Sequence, residues 1–231
     1  MKTIAIILSG GTGVRLGGNI PKQYLEVKGK PVIQYSLETF ARMQEIDFFV
    51  ICLADEWNPF VQEVISKADI TKPVVYSQPG EVRQLTIYNA LQTLQRAGVE
   101  EEDVIIIHDA ARPLVSEALI RRCIDGCKEA DGVLPVLPVK DTLYMSKDGK
   151  SISSLLKRSE IVAGQAPEAF RFGKYIAVHD RMSKDEILQI SGSTEIAYKA
   201  GLNVRLVQGE ERNFKITTAE DLDNFKHILA Q

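Results

Sequence analysis

Cysteine is scarce in this chain. Its 231 residues include three, Cys52, Cys123 and Cys127. An odd and sparse set cannot build a disulfide framework, and without a second cluster of Cys or His it makes no zinc site. Cys52 lies in an apolar stretch and Cys123 and Cys127 stand one helical turn apart, so all three read as ordinary buried or half-buried thiols in a reducing cytosol. Basic excess is also lacking: the formal net charge is −3. A protein that coats nucleic acid would carry the opposite balance, so an anionic ligand here must be gripped by local cations. Long hydrophobic runs are missing too. "IAIIL" near the N-terminus is too short for a signal h-region or a membrane span. Repeats, low-complexity tracts and long linkers are absent. The expectation is one soluble, cytoplasmic domain, residues 1–231, with no nucleic-acid or membrane partner.

What the sequence does have is alternation. "TIAIIL" (3–8), "DFFVICL" (47–53), "PVVYS" (73–77), "DVIIIHD" (103–109), "GVLPVLPV" (132–139) and "LNVRLVQ" (202–208) are apolar and rich in β-branched residues, as buried strands are. Helical periodicity falls between or after them, at 31–43, 57–68, 82–97, 116–130 and 218–229. Strand-helix alternation predicts an α/β fold: a Rossmann-like, mostly parallel sheet flanked by helices. Residues 140–165 break the rhythm. A turn at Lys147-Asp148-Gly149 between short alternating segments predicts a projecting β-arm. The plainer alternative is a surface excursion. An arm of this length favours a homodimer.

Parallel sheets place ligands beyond the C-terminal ends of their strands, so the residues that follow each strand carry the functional signal. After the first comes "SGGTGVRLG", Ser9, Gly10, Gly11, Thr12 and Gly13 leading to Arg15, and then Lys22. The spacing fits neither the Walker A pattern nor the dinucleotide fingerprint. It leaves a glycine-rich turn whose N–H groups can converge on an anion, with Arg15 as a bidentate phosphate grip and Lys22 as a movable charge. After the third strand, "GEVRQLT" opens a helix with Arg83 and Thr86 on one face, behind Gly80. After the fourth, "HDAARP" sets His108, Asp109, Ala110 and Arg112 at the crevice. Beside a triphosphate, Asp109 would bind Mg²⁺ through oxygen; the alternative is a buried Asp–Arg pair that orders the loop. One histidine without a paired nucleophile is weak ground for a general base, so His108 is expected to be structural. Thr142 follows the fifth strand. Lys215 is a further candidate phosphate cation, close to Thr217 or Thr218 as the N-cap of the last helix.

Taken in order, "SGGTGVRLG", "PKQYL", "HDAARP", "VKDT" and "NFKITTAEDL" resemble the cytidylyltransferase family that acts on polyol phosphates, including 2-C-methyl-D-erythritol 4-phosphate and ribitol 5-phosphate. The resemblance spans residues 2–222. It implies transfer of CMP from CTP with release of pyrophosphate. It implies that Ser9, Gly10, Gly11, Thr12, Gly13, Arg15, Lys22, Gly80, Arg83, Thr86 and Ala110 hold the nucleotide, and that Asp109 holds Mg²⁺. Asp109, Arg112, Thr142, Arg158 and Lys215 would face the polyol phosphate, with Arg158 reaching across a dimer. Arg15, Lys22 and Lys215 would carry the catalytic charge.

Two stretches depart from the family pattern, both on the polyol side. Where the family has "QTPQ", this chain has Gln165-Ala166-Pro167-Glu168. Where it has a Thr-Asp pair, either Ser191-Gly192 or Thr194-Glu195 stands here. Methylerythritol phosphate is the favoured acceptor, ribitol phosphate or another polyol phosphate the alternative, and a sugar-1-phosphate nucleotidylyltransferase a more distant one. A dinucleotide enzyme would find Asp55 and Glu56 at the second strand's end, but the glycine spacing is wrong for it. A non-catalytic nucleotide sensor would use the same crevice without releasing pyrophosphate.

Overall fold

The computed structural model describes residues 1–11 and 20–231. In chain order it runs β1 (Thr3–Leu8), β2 (Glu26–Val27), β3 (Lys30–Pro31), α1 (Val32–Arg42), β4 (Phe48–Cys52), α2 (Asn58–Lys67), β5 (Val74–Ser77) and α3 (Arg83–Arg96). Next come β6 (Val104–Asp109), α4 (Glu117–Gly126), β7 (Gly132–Pro138), β8 (Tyr144–Met145), β9 (Ser154–Leu155), β10 (Val162–Gly164) and β11 (Glu168–Arg171). The chain closes with α5 (Phe172–His179), α6 (Lys184–Leu188), α7 (Ser193–Lys199), β12 (Val204–Gln208) and α8 (Ala219–Ile228).

The main sheet is ordered β10-β7-β11-β6-β1-β4-β5, with β12 also paired to β7. Pairs β6–β1, β1–β4, β4–β5 and β7–β12 are parallel. β11 is antiparallel to both of its neighbours, and β10 to β7. Strand side chains alternate between faces, and in β1 that alternation assigns the two halves of the core. Ala5 and Ile7 pack with Leu37 and Phe40 of α1 and Leu119 and Ile120 of α4. Ile4 and Ile6 pack with Ile87 and Leu91 of α3 and Tyr175 and Ile176 of α5. All of these side chains are buried. Coverage on both faces is why the parallel strands read as continuous apolar runs rather than as alternation.

The expected strands and helices are present with boundaries trimmed by a few residues at most, apart from 116–130, whose helix ends at Gly126. The segment 166–199 holds structure that periodicity did not announce: the antiparallel β11 inserted between β6 and β7, and the short helices α5, α6 and α7. The arm forms as a β8–β9 hairpin, but its last expected residues return to the sheet as β10. At its turn, Gly149 has φ +69°, and the Asp148 carboxylate accepts the Lys150 and Ser151 N–H groups at 2.9 Å. No helix among the described residues is long and apolar enough to cross a membrane. The three cysteines are free and buried, and burial raises their thiols, Cys52 and Cys127 each to about 12.

Candidate active site

Strands β1, β4, β5 and β6 end on the same edge, and a cavity of about 790 Å³ opens there. Of the expected site residues, Gly10, Gly11, Lys22, Gly80, Arg83, Thr86, Asp109 and Lys215 line it. Arg15, Thr12 and Gly13 lie outside the described residues. Ser9 lines a smaller adjoining cavity of about 180 Å³. Ala110 is buried and donates its N–H to the Leu8 carbonyl at 3.0 Å, tying the Asp109 loop to the end of β1. Thr142 and Arg158 are exposed on the arm and do not line the cavity. Arg158 donates to the Lys140 carbonyl at 2.7 Å.

Two residues of "PKQYL" shape the glycine turn from behind. The Gln23 side-chain amide, buried, donates to the carbonyls of Ser9 and Gly11, both at 2.7 Å. The Ser9 hydroxyl donates to the Tyr24 hydroxyl at 2.8 Å, and Tyr24 stacks on Trp57 with ring centroids 4.5 Å apart. In the same cavity lining, Thr86 Oγ1 accepts the Gly80 N–H at 2.9 Å and donates to the Val82 carbonyl at 3.1 Å. The hydroxyl therefore fixes the turn ahead of α3 while its side chain faces the cleft. Gly80 is required by a close approach: a Cβ there would lie 2.6–2.8 Å from Leu85 carbons, the backbone carbonyl carbon included.

Asp109 is the electrostatic centre. Lys215 Nζ is 3.0 Å from Oδ2, Arg83 Nε is 3.2 Å from Oδ1, and Arg112 Nε is 3.5 Å from Oδ2. Burial pushes this carboxyl up, but Arg83, Lys215 and Arg112 outweigh it and hold the group well below the usual carboxylate range. Arg112 also donates to the Asn213 carbonyl at 2.7 Å, and the Ile216 N–H donates to the Ala111 carbonyl at 2.8 Å. These bonds bring the Lys215 segment alongside the β6 loop. α8 then starts on a capping box in which Thr218 is the N-cap and Asp221 its reciprocal acceptor.

His108 is structural, as expected. It is fully buried, and Nε2 donates to the Arg112 carbonyl at 3.0 Å, which fixes the tautomer and leaves Nδ1 as a buried acceptor without a partner. Burial lowers His108 to about 4, and likewise His179 on α5. The unfolded chain binds these protons from about pH 6.5 downward. Native stability is therefore complete above that value and is lost as pH falls from about 6.5 toward 4. Between pH 7 and pH 5 the expected loss is on the order of 2 kcal/mol per histidine. Urea unfolding at the two pH values measures it; equal midpoints would contradict the assignment.

Sequence reasoning assigned no site role to Glu168, Ser193 or Thr194. Glu168 is buried on β11, accepts from Arg83 Nη2 at 3.3 Å and accepts the Thr194 hydroxyl at 3.0 Å. Ser193 is hydrogen-bonded to Arg83 Nη1. Ser193 and Thr194 open α7, and Gly192 is its N-cap. The only hint lay in position: Glu168 and Thr194 fall in stretches that depart from the family pattern, and Ser193 lies beside the second.

Comparison with known proteins identifies the family. Residues 3–231 match the family model described as 2-C-methyl-D-erythritol 4-phosphate cytidylyltransferase. A protein of that name from Geobacter metallireducens is 36% identical over 225 residues, covering 96% of this chain and 95% of the relative. One from Clostridium perfringens strain SM101 is 32% identical over 230 residues and 99% of each chain. In fold, the chain is similar to the crystal structure of 4-diphosphocytidyl-2C-methyl-D-erythritol synthase from Anaerococcus prevotii. That match has a TM-score of 0.84 and 22% identity, and covers 100% of this chain and 96% of that one. With a family model that spans nearly its whole length and a cation-lined crevice at the strand ends where such chemistry belongs, the chain is a member of the 2-C-methyl-D-erythritol 4-phosphate cytidylyltransferase family, a family of nucleotidyltransferases.

Proposed function

We propose that this protein transfers the cytidylyl group of CTP to 2-C-methyl-D-erythritol 4-phosphate and releases pyrophosphate, as one cytoplasmic domain acting in a homodimer. The observation that carries the reading is convergence: the glycine turn, Lys22, Arg83, Lys215 and a buried Asp109 share one cavity. An oxygen of the acceptor phosphate attacks the α-phosphorus of CTP, and the bond from that phosphorus to the bridging α–β oxygen breaks. The attacking phosphate is already a nucleophile, so no side chain need act as base, which suits a His108 sealed in the core. Catalysis rests on positioning and charge neutralisation.

Ser9, Gly10, Gly11, Thr12, Gly13, Gly80, Thr86 and Ala110 shape the nucleotide side. Arg15 and Lys22 take its phosphates, and Lys215 bridges toward the acceptor. Asp109 suits Mg²⁺ as a hard oxygen donor. No cluster of three or more His, Cys, Asp or Glu among the described residues forms an all-protein cage, so the ion would take its other ligands from the triphosphate and water. Bound there, it supplies positive charge to the phosphates in the transition state. The arm carries exposed Tyr144, Met145, Ile152 and Leu155, an apolar surface suited to a second copy, toward whose polyol phosphate Arg158 and Thr142 would point.

Pyrophosphate release tests the reading, with each of the four NTPs set against methylerythritol, ribitol, glycerol and sugar phosphates. Turnover with CTP and methylerythritol phosphate is expected. Preference for ribitol phosphate would move the acceptor assignment, and no turnover with CTP and any acceptor would overturn the reading. Gln23→Ala removes two hydrogen bonds that set the glycine turn, worth about 1–3 kcal/mol together. It is expected to raise the KM for CTP about tenfold with little change in kcat. Initial rates across CTP concentrations check this; an unchanged KM would remove Gln23 from the role.

A further inference from the structure

The geometry points to Glu168 as the positioning residue for Arg83, dividing that arginine between two carboxylates and so fixing the part of the cavity wall that receives CTP. The inference rests on the proposed cytidylyl transfer. Glu168 pairs with Ile107 in the antiparallel β11–β6 register, and Asp109 lies two residues beyond Ile107 on β6. Cross-strand partners share a face and residues two apart along a strand share it too, so Glu168 and Asp109 are diagonal neighbours. Such neighbours are roughly 7–8 Å apart, a gap that one guanidinium can bridge. Arg83 does so, with Nε on Asp109 Oδ1 at 3.2 Å and Nη2 on Glu168 Oε2 at 3.3 Å.

The far side of Glu168 is held as well. Its Oε1 accepts the Thr194 hydroxyl at 3.0 Å, and Ser193 takes Arg83 Nη1. The first turn of α7 is anchored in turn by Tyr175, which is fully buried. Its hydroxyl donates to the Ser193 carbonyl at 3.0 Å and accepts from the Gln84 amide at 3.2 Å. Among the described residues, the donor positions of the arginine fork are thus taken by β11, β6 and α7. Without Glu168, Nη2 loses its carboxylate and the guanidinium is held only by Asp109 and Ser193, so its orientation on the cavity wall it lines is no longer fixed.

Titration calorimetry with CTP, together with steady-state rates, tests this on wild type, Glu168→Gln, Arg83→Gln and the double variant. Glu168→Gln keeps the shape and removes the charge; CTP affinity should fall about tenfold, the range of one charge-assisted hydrogen bond. At saturating CTP, kcat should stay within about threefold of wild type, since a positioning role acts on binding. In the Arg83→Gln background the same change should have no further effect, because a residue acting through another shows full non-additivity. Additive losses would overturn the inference. So would tighter CTP binding, which would mark Glu168 as a plain repulsive charge. Thr194→Val, which loosens the carboxylate without removing it, should weaken CTP binding about threefold; no change there would also overturn the inference and serves as the decisive arm if Glu168→Gln does not fold. A wild type that fails to bind CTP would instead sink the functional reading.

Discussion

Replacing Lys215 by alanine is expected to lower kcat by about 10²-fold or more, the loss typical of removing one donor from a preorganised anion-stabilising site. Two phosphates must come into bonding distance, and like charges 4 Å apart repel by roughly 4 kcal/mol per pair in a partly screened site. Lys215 Nζ sits 3.0 Å from the Asp109 carboxylate on the cavity wall, held by the backbone pairing of Ile216 with Ala111. The charge is therefore in place before substrates arrive. The lysine side chain is 35% exposed, so its ion pair adds little to stability, about 1 kcal/mol or less. The variant should melt within a few degrees of wild type while losing turnover. Lys22→Ala, at a second cation of the same cavity lining, should show a loss of the same order. Rates at saturating CTP and acceptor decide the matter: a fall below tenfold at both positions would remove the proposed roles.

Much of the site was legible because parallel sheets put function at strand ends. Asp109 was readable as a carboxylate following four apolar residues, and the structure sets it at the end of β6 with three cations around it. The glycine turn and Lys22 followed from the same rule applied to β1. What escaped has a physical reason. β11 is four residues long and antiparallel, buried between β6 and β7, too short for a period to register. Glu168 gains its meaning from a cross-strand register, Ser193 and Thr194 from the start of a seven-residue helix. Gln23 stood inside the quoted "PKQYL" with no role of its own; its two bonds to the Ser9 and Gly11 carbonyls exist only once the chain has folded back on itself. Sequence shows which residues carry charge. Which of them share an arginine depends on tertiary pairing.

Asp109→Asn should separate the two things this carboxylate does. The substitution keeps the shape and takes the one charge on which Arg83, Arg112 and Lys215 converge. Stripping one partner from a buried ion pair costs about 3–5 kcal/mol. Here Arg83 and Lys215 are about a third exposed, and solvent screening cuts the expected loss to about 2 kcal/mol. For a chain of this size that is a fall in Tm of roughly 4–8 °C. The loss depends on pH. The folded carboxyl is held below its unfolded value of about 3.9, so its stabilisation is present above that pH and fades as pH falls through the acid range. Wild type and variant should therefore differ most near neutrality and converge in acid, below the window in which His108 and His179 act. The catalytic cost should be larger, a fall in kcat of about 10²–10³-fold, because the proposed Mg²⁺ ligand goes with the charge. CTP binding measured without Mg²⁺ should hold or tighten, since Arg83 and Lys215 on the cavity lining then face the triphosphate unopposed. Melting curves from pH 3 to 8 read the first effect, and rates with calorimetry read the second. A variant with wild-type turnover would strip Asp109 of its catalytic part; one whose Tm deficit stays constant down to pH 3 would show that the ion-paired carboxylate is not what stabilises the loop.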